Sequence, residues 1–223
     1  MGLDQGRVEA VRQSAVSFEA KGLKFEGVVA QPDGKADSCP GIVICHPHPL
    51  FGGSMDNNVV LAATHSLVEQ GFATLRFNFR GVGNSQGQHS KGELEGQEVL
   101  AALGLMKAWP GVDGRRMGLA GYSFGASVIL DTPSLHKKAR AFALISPPLR
   151  ALQSTALKKN KRPALVISGD RDKLVQSEQL QSVLDSFSHR PACLIVPGAD
   201  HFWAGYEDEL TPSVGRYFAE QLK

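Results

Sequence analysis

The sequence predicts an α/β fold, a doubly wound and mostly parallel sheet flanked by helices, and three observations lead there. Short β-branched apolar runs alternate with segments of helical length and period, the spacing of successive βαβ units with right-handed crossovers. One apolar run stops at Gly121, sets a serine between two glycines in Gly121-Tyr122-Ser123-Phe124-Gly125, and resumes as a small-residue apolar stretch through Leu130. That order reads as strand, sharp turn, helix. The polar and glycine-rich stretches that carry reactive side chains follow the apolar runs, where an open α/β sheet places its functional loops. A chain of 223 residues fits one domain over 1–223, burying roughly 70–75% of its unfolded surface in a single core.

Residues 15–18 and 24–30 read as two short strands joined at Lys21-Gly22, an antiparallel hairpin opening the sheet. Residues 31–40, rich in Pro, Gly, Asp and Ser, form a loop. Gly41-Ile42-Val43-Ile44-Cys45 is a strand covered on both faces. The following His46-Pro47-His48-Pro49-Leu50-Phe51-Gly52-Gly53 is too proline-rich for helix or ladder. Asp56 or Asn57 can cap a helix over 58–70, which Gly71 stops. A strand over 73–79 leads into Arg80-Gly81-Val82-Gly83-Asn84-Ser85-Gln86-Gly87, and a helix over 92–109 crosses back. Residues 110–114 turn the chain into the strand that ends at Ser123. Beyond the central helix come strands over 141–146, 164–169 and 192–196, a helix over 177–187 and a terminal helix over 205–222. The segment 147–160 is irregular or partly helical.

Bulk properties exclude several classes. The hydrophobic share of 42% and charged share of 21% are those of a globular protein. A net charge of +2 creates no long-range field, and the basic clusters at 137–140 and 158–162 have no interleaved aromatics. They read as solvated loop surface, not as a nucleic-acid interface. Cys39, Cys45 and Cys193 are odd in number and lack metal-ligand spacing, which points to a reducing, cytoplasmic setting. The first seven residues have no apolar core of a signal peptide, Gly6 breaks the myristoylation pattern, and no apolar run approaches membrane-spanning length, so no membrane partner is expected.

A turn of the Gly-x-Ser-x-Gly kind forces its serine into a strained backbone and holds the hydroxyl out above the sheet. A Cβ at either glycine would meet the adjoining strand or helix. The hydroxyl becomes a useful nucleophile only beside a base, and the base needs a third group to fix its tautomer. Four of the seven histidines, His46, His48, His65 and His89, precede Ser123. His136 and His189 lie in polar, surface-like stretches. His201 sits just after the final strand and is the expected base. For the acid, Ser168-Gly169-Asp170-Arg171-Asp172 offers two carboxylates after the preceding strand. Asp170 also suits a turn, whereas Asp172 has more reach; adjacent Asp200 is a distant option.

Ser123, an acid after the next-to-last strand and His201, in that chain order, resemble the α/β-hydrolase fold over nearly the whole chain. The stretch from His46 to Asn58, with Phe79-Arg80-Gly81-Val82-Gly83-Asn84-Ser85, resembles a narrower group of small bacterial hydrolases of the dienelactone-hydrolase type. In that group Gly-x-x-Asp-x-x-Val carries the acid, which matches Gly169, Asp172 and Val175 and favours Asp172. Dienelactone hydrolase itself uses cysteine where this chain has Ser123, so lactone specificity does not carry over.

Acyl transfer also needs donors aimed at the developing oxyanion. One is expected from the backbone N–H of Phe124, at the head of the helix. In the loop after Cys45, Pro47 and Pro49 have no N–H, leaving His48, Leu50 or Phe51. The resemblance of Leu50-Phe51-Gly52 to the Ile-Phe-Gly of dienelactone hydrolases points to Leu50. His46, His48 and His201 are not expected to bind metal, because the first two lie on a proline-locked loop without an acidic partner. The 81–87 run lacks a phosphate-loop ending and reads as a structural turn beside the cleft. Phe51, Tyr122, Phe202 and Trp203 flank the site and are candidates for substrate binding.

The expectation is a cofactor-independent serine hydrolase of small carboxylic esters, a monomer or homodimer. The insertion room at 147–161 is too small for a large lid, so the cleft should be open and suit short acyl chains. A thioesterase or peptidase with the same three residues, or a non-catalytic binding protein on this fold, are the alternatives.

Overall fold

The computed structural model describes residues 11–33 and 38–223. Among the described residues eight strands form one sheet: β1 (Val11–Ala20), β2 (Leu23–Pro32), β3 (Cys39–Cys45), β4 (Ala73–Phe77), β5 (Val112–Tyr122), β6 (Ala141–Ile145), β7 (Ala164–Gly169) and β8 (Ala192–Val196). Their spatial order is β1-β2-β4-β3-β5-β6-β7-β8. The β1/β2 and β2/β4 pairs are antiparallel and every other pair is parallel. The expected doubly wound, mostly parallel sheet is therefore present, with the opening hairpin as its antiparallel edge.

The hairpin strands run longer than the apolar pattern alone indicates. Lys21 and Gly22 both take positive φ, 53° and 79°, a tight turn whose twist matches the flanking strands and lets the ladder extend through polar, exposed positions of β1. The helices are α1 (Asn58–Glu69), α2 (Glu95–Lys107), α3 (Phe124–Asp131), α4 (Leu135–Lys138), α5 (Leu149–Ser154), α6 (Ser177–Asp185) and α7 (Glu207–Leu222). Of the two expected caps of α1, Asn57 is the one used, its side chain accepting from Val59 N. Helix α2 begins three residues later than expected, because the Glu95 carboxylate accepts the Ser90 and Gly92 amides and ties the preceding residues into a turn. The short α4 falls where a loop was expected. His136 on it is buried, not surface-exposed, with Nε2 bonded to the Ile129 carbonyl.

Alternate residues of β3 serve opposite faces, as the two-residue period of a strand requires. Val43 and Cys45 join the core with Phe79, Leu103, Phe124 and Phe142, under α2 and α3. Ile42 and Ile44 join Val60, Leu67, Val214 and Phe218, under α1 and α7. After β3 the chain steps to β4 on one side and returns to β5 on the other. The crevice between the carboxyl ends of β3 and β5 is the topological switch point, where open α/β sheets place ligands.

Candidate active site

Ser123 stands at that switch point, between the last residue of β5 and the first of α3. Its backbone is left-handed, φ 53° and ψ −108°, a conformation that costs a non-glycine residue of order 1–3 kcal/mol and persists only where the surroundings enforce it. They do so here. A Cβ on Gly125 would lie 2.3 Å from the Cys45 carbonyl oxygen, and one on Gly121 would lie 2.7 Å from Ala126 N. The two glycines thus let α3 press against both its own strand and β3.

The three side chains expected to converge do so. Ser123 Oγ is 3.0 Å from His201 Nε2, and His201 Nδ1 is 2.8 Å from Asp172 Oδ2. The remaining Asp172 oxygen accepts the amides of Leu174 and Val175 at 2.9 and 3.0 Å. Burial opposes the charge on Asp172, but the hydrogen bond and charge of His201, the Leu174 amide and the Ser146 hydroxyl hold its carboxyl below the usual carboxylate range. Asp170 is occupied otherwise, accepting the Gly198 amide at 2.7 Å as a turn residue. Asp200 accepts the Phe202 amide at 2.8 Å.

The loop carrying His201 is tied down at several points. Tyr122 donates its hydroxyl to the His201 carbonyl at 2.5 Å. Asn58 Nδ2 reaches the Phe202 carbonyl at 3.3 Å and Glu207 Oε1 at 2.6 Å. Trp203 Nε1 donates to Ser146 Oγ at 3.1 Å. These bonds correct two sequence expectations. Trp203 is 0% exposed and Tyr122 4%, so both rings pack within the protein and hold the loop instead of facing a substrate. Phe202, at 68%, and Phe51, at 87%, do face outward. Ser146 and Asn58 escaped the sequence reading. Ser146 left a faint signal, a polar residue between the apolar run 141–145 and Pro147-Pro148.

On the other side of Ser123, the Phe124 N–H at the head of α3 has no hydrogen-bond partner among the described residues. Pro49–Phe51 forms one turn of 3-10 helix capped by His48, whose Nδ1 accepts the Leu50 amide at 3.2 Å. The Phe51 amide goes to the His48 carbonyl at 3.1 Å. Of the candidates left by the prolines, Leu50 gives its N–H to the His48 imidazole, whereas that of Phe51 closes a backbone turn. The His48 ring lies against Phe51, His89 and Phe124, with centroids 4.9, 4.8 and 5.0 Å away. At the root of this loop both nitrogens of His46 bond backbone, Nδ1 to the Pro47 carbonyl at 2.7 Å and Nε2 to the Phe79 amide at 3.0 Å. Burial pulls the His46 imidazole down to about 4, keeping it neutral.

The 81–87 run is a structural turn pinned to β2. Glu26 accepts the Asn84 amide at 2.7 Å and its side chain at 2.8 Å, while Ser85 donates to the Asn78 carbonyl at 2.7 Å. Behind it, Arg80 bonds the fully buried Glu98, whose carboxyl burial pushes up to about 7.

A sequence profile described as an alpha/beta hydrolase domain matches residues 42–210. A Rickettsia prowazekii protein, described as uncharacterized, is 31% identical over 211 residues, 91% of this chain and 87% of that protein. A Coxiella burnetii alpha-beta serine hydrolase homologue superposes with a TM-score of 0.81 at 32% identity, covering 92% of this chain and 96% of that one. XC6422 from Xanthomonas campestris, described as an a/b serine hydrolase without lid, gives 0.81 at 27% identity, covering 95% of each chain. Among the described residues no helix is long and apolar enough to cross a membrane.

Proposed function

The chain belongs to the alpha/beta hydrolase family, and from that premise we propose that it is a serine hydrolase of small carboxylic esters with short acyl chains. The observation carrying this reading is the unbroken line of contacts from Ser123 Oγ through His201 to Asp172, at 3.0 and 2.8 Å. In the proposed reaction, His201 Nε2 takes the Ser123 proton as Oγ attacks the ester carbonyl. Asp172 keeps the Nδ1–H tautomer and stabilises the imidazolium. The oxyanion is held by the Phe124 amide and by the Leu50 amide once His48 Nδ1 releases it, each donor worth about 2.7–4 kcal/mol of barrier. The imidazolium then protonates the leaving alcohol, and water hydrolyses the acyl-enzyme by the same route.

The short acyl preference is supported by the outward-facing Leu50, Phe51, Leu174 and Phe202, which make an open apolar rim, not a closed tunnel. A fluorophosphonate probe tests the chemistry: wild type is expected to label, and Ser123→Ala is not. Turnover of p-nitrophenyl acetate and butyrate should exceed that of decanoate. Equal labelling of both proteins would remove the nucleophile, and a decanoate preference would remove the short-chain specificity.

A further inference from the structure

His89 is a buried side chain that the proposed reaction leaves without a task. It is 8% exposed, and neither ring nitrogen has a hydrogen-bond partner among the described residues. Nδ1 lies 3.3 Å from Glu95 Oε1, but out of line for a hydrogen bond. A buried polar atom left unmet destabilises a fold, so one that persists calls for a reason. A loose backbone is not the reason. The fully buried Glu95 accepts the Ser90 and Gly92 amides at 2.7 and 2.9 Å and the Ser90 hydroxyl, which ties down the residues that follow His89. The ring also stands among the groups of the oxyanion site. His48 and Phe124 lie against it with centroids 4.8 and 5.1 Å away, and against each other at 5.0 Å. His48 holds the Leu50 amide, and Phe124 carries the other N–H of the proposed oxyanion hole.

The neighbours of the two imidazoles fix their tautomers. His48 Nδ1 accepts from Leu50, so in the neutral ring the proton is on Nε2. Burial, with His89 alongside, outweighs the pull of Glu95 and holds the His48 imidazole below its ordinary value, which keeps it neutral. That Nε2–H has no partner among the described residues. Burial opposes the charge on Glu95, but the Ser90 and Gly92 bonds hold its carboxyl below the usual carboxylate range. The carboxylate beside His89 Nδ1 draws the proton of the neutral ring to that nitrogen and leaves a lone pair on Nε2. A donor without an acceptor and an acceptor without a donor therefore stand on touching rings.

We propose that His89 is a positioning residue of the oxyanion site, the partner that takes His48 when the developing oxyanion takes the Leu50 amide. In one state His48 Nδ1 accepts from Leu50 and masks that donor. In the other the His48 ring has turned about its Cβ–Cγ bond, Nε2–H donates to His89 Nε2, and the Leu50 N–H is free. Each state has one hydrogen bond to His48, so the two are close in free energy and the charge forming on the substrate oxygen decides between them. His89 acts through His48 and touches no substrate. The proposal rests on the hydrolase reading given above.

The test is a double-mutant cycle read by the second-order rate of fluorophosphonate labelling, whose phosphoryl oxygen enters the same site, with kcat and KM for p-nitrophenyl acetate and the urea midpoint. His89→Phe keeps a ring and deletes both nitrogens. It should slow labelling and lower kcat about fivefold, the loss of one neutral hydrogen bond. KM should stay within about twofold, because the Leu50 amide is used in the transition state, and the midpoint should not fall, because two unmet polar atoms are gone. A structural role would show the reverse, a lower midpoint with kcat kept, and that result overturns the proposal. In a His48→Phe background, where nothing holds the Leu50 N–H, His89→Phe should change the labelling rate by less than about twofold. Equal slowing in both backgrounds overturns the proposal as well. Should His89→Phe not fold, His89→Gln, whose carbonyl can accept from His48, is compared with His89→Met of similar length. The glutamine variant is expected within about twofold of wild type and the methionine variant about fivefold slower; equal rates overturn the proposal. Labelling of wild type but not of Ser123→Ala keeps the hydrolase reading standing whichever way the cycle falls, and its absence removes both.

Discussion

Beside Ser123, the loop carrying His201 is bonded to the scaffold through Tyr122, Asn58 and the Trp203–Ser146 contact. The Leu50 loop opposite is rooted by His46 at its base and by the His48 ring against His89 and Phe124, while Leu50 and Phe51 at its tip are largely exposed. The difference follows from what each side has to do in the proposed reaction. Proton transfer tolerates little error in heavy-atom distance, so the base and its orienting carboxylate are over-determined by buried bonds. A short ester can be received by a surface that adapts, and the Leu50 amide must also exchange His48 for the oxyanion. The buried side and the Leu50 amide are expected to govern kcat, and the exposed side chains of the open side KM.

The sharpest way to break that division is Asp172→Asn. The amide has nearly the same shape, but its NH2 would face His201 Nδ1 and force the tautomer with the proton on Nε2. The nitrogen beside Ser123 could then no longer accept, and kcat should fall about 10,000-fold with KM little changed. A loss under about tenfold would show that the carboxylate does not set the tautomer.

His46 is the buried anchor of the open side, and His46→Gln probes it through stability. The folded imidazole titrates at about 4, below the ordinary value of 6.5. Its contribution is fully present above pH 6.5 and is lost as the pH falls from there toward 4, because only the unfolded chain takes up the proton. Glu98 has the opposite sign over a similar window, since its carboxyl is raised to about 7 from 4.5. The useful quantity is therefore the difference between wild type and variant, in which Glu98 cancels. The variant should be less stable to urea at pH 7.5, and the gap should narrow by up to about 3 kcal/mol on going to pH 4. A gap independent of pH would mean that His46 is not held neutral.

The two sides were also unequally legible in the sequence. Ser123 and His201 could be read directly because strand ends and chain order confine them, and the mostly parallel sheet that carries them follows from alternating β-branched runs and helices. The choice of Asp172 over Asp170 needed the resemblance, since a turn carboxylate and an orienting carboxylate look alike until the Gly198 amide claims the former. Two of the four aromatic candidates misled. Phe51, Tyr122, Phe202 and Trp203 are neighbours of the site in sequence, and Phe51 and Phe202 do face outward, but Tyr122 and Trp203 are buried, which nearness in sequence does not reveal. Ser146 comes from a loop distant in sequence, and no local pattern ties it to the Trp203 indole that it meets.

The smallest effect is expected where the protein is most exposed. Phe51 is 87% exposed, so Phe51→Ala removes little buried surface and should leave the urea midpoint nearly unchanged. When an ester docks against the rim, the ring would lose on the order of 40 Å² of contact with water, worth about 1 kcal/mol at roughly 25 cal/mol per Å². Binding of that kind is shared by ground state and transition state, so its loss raises KM about fivefold and leaves kcat alone. Measuring both constants for p-nitrophenyl butyrate separates the possibilities. A fall in kcat would mean that the Phe51 ring also holds the Leu50 amide in place for the oxyanion, beyond lending contact area to the bound ester.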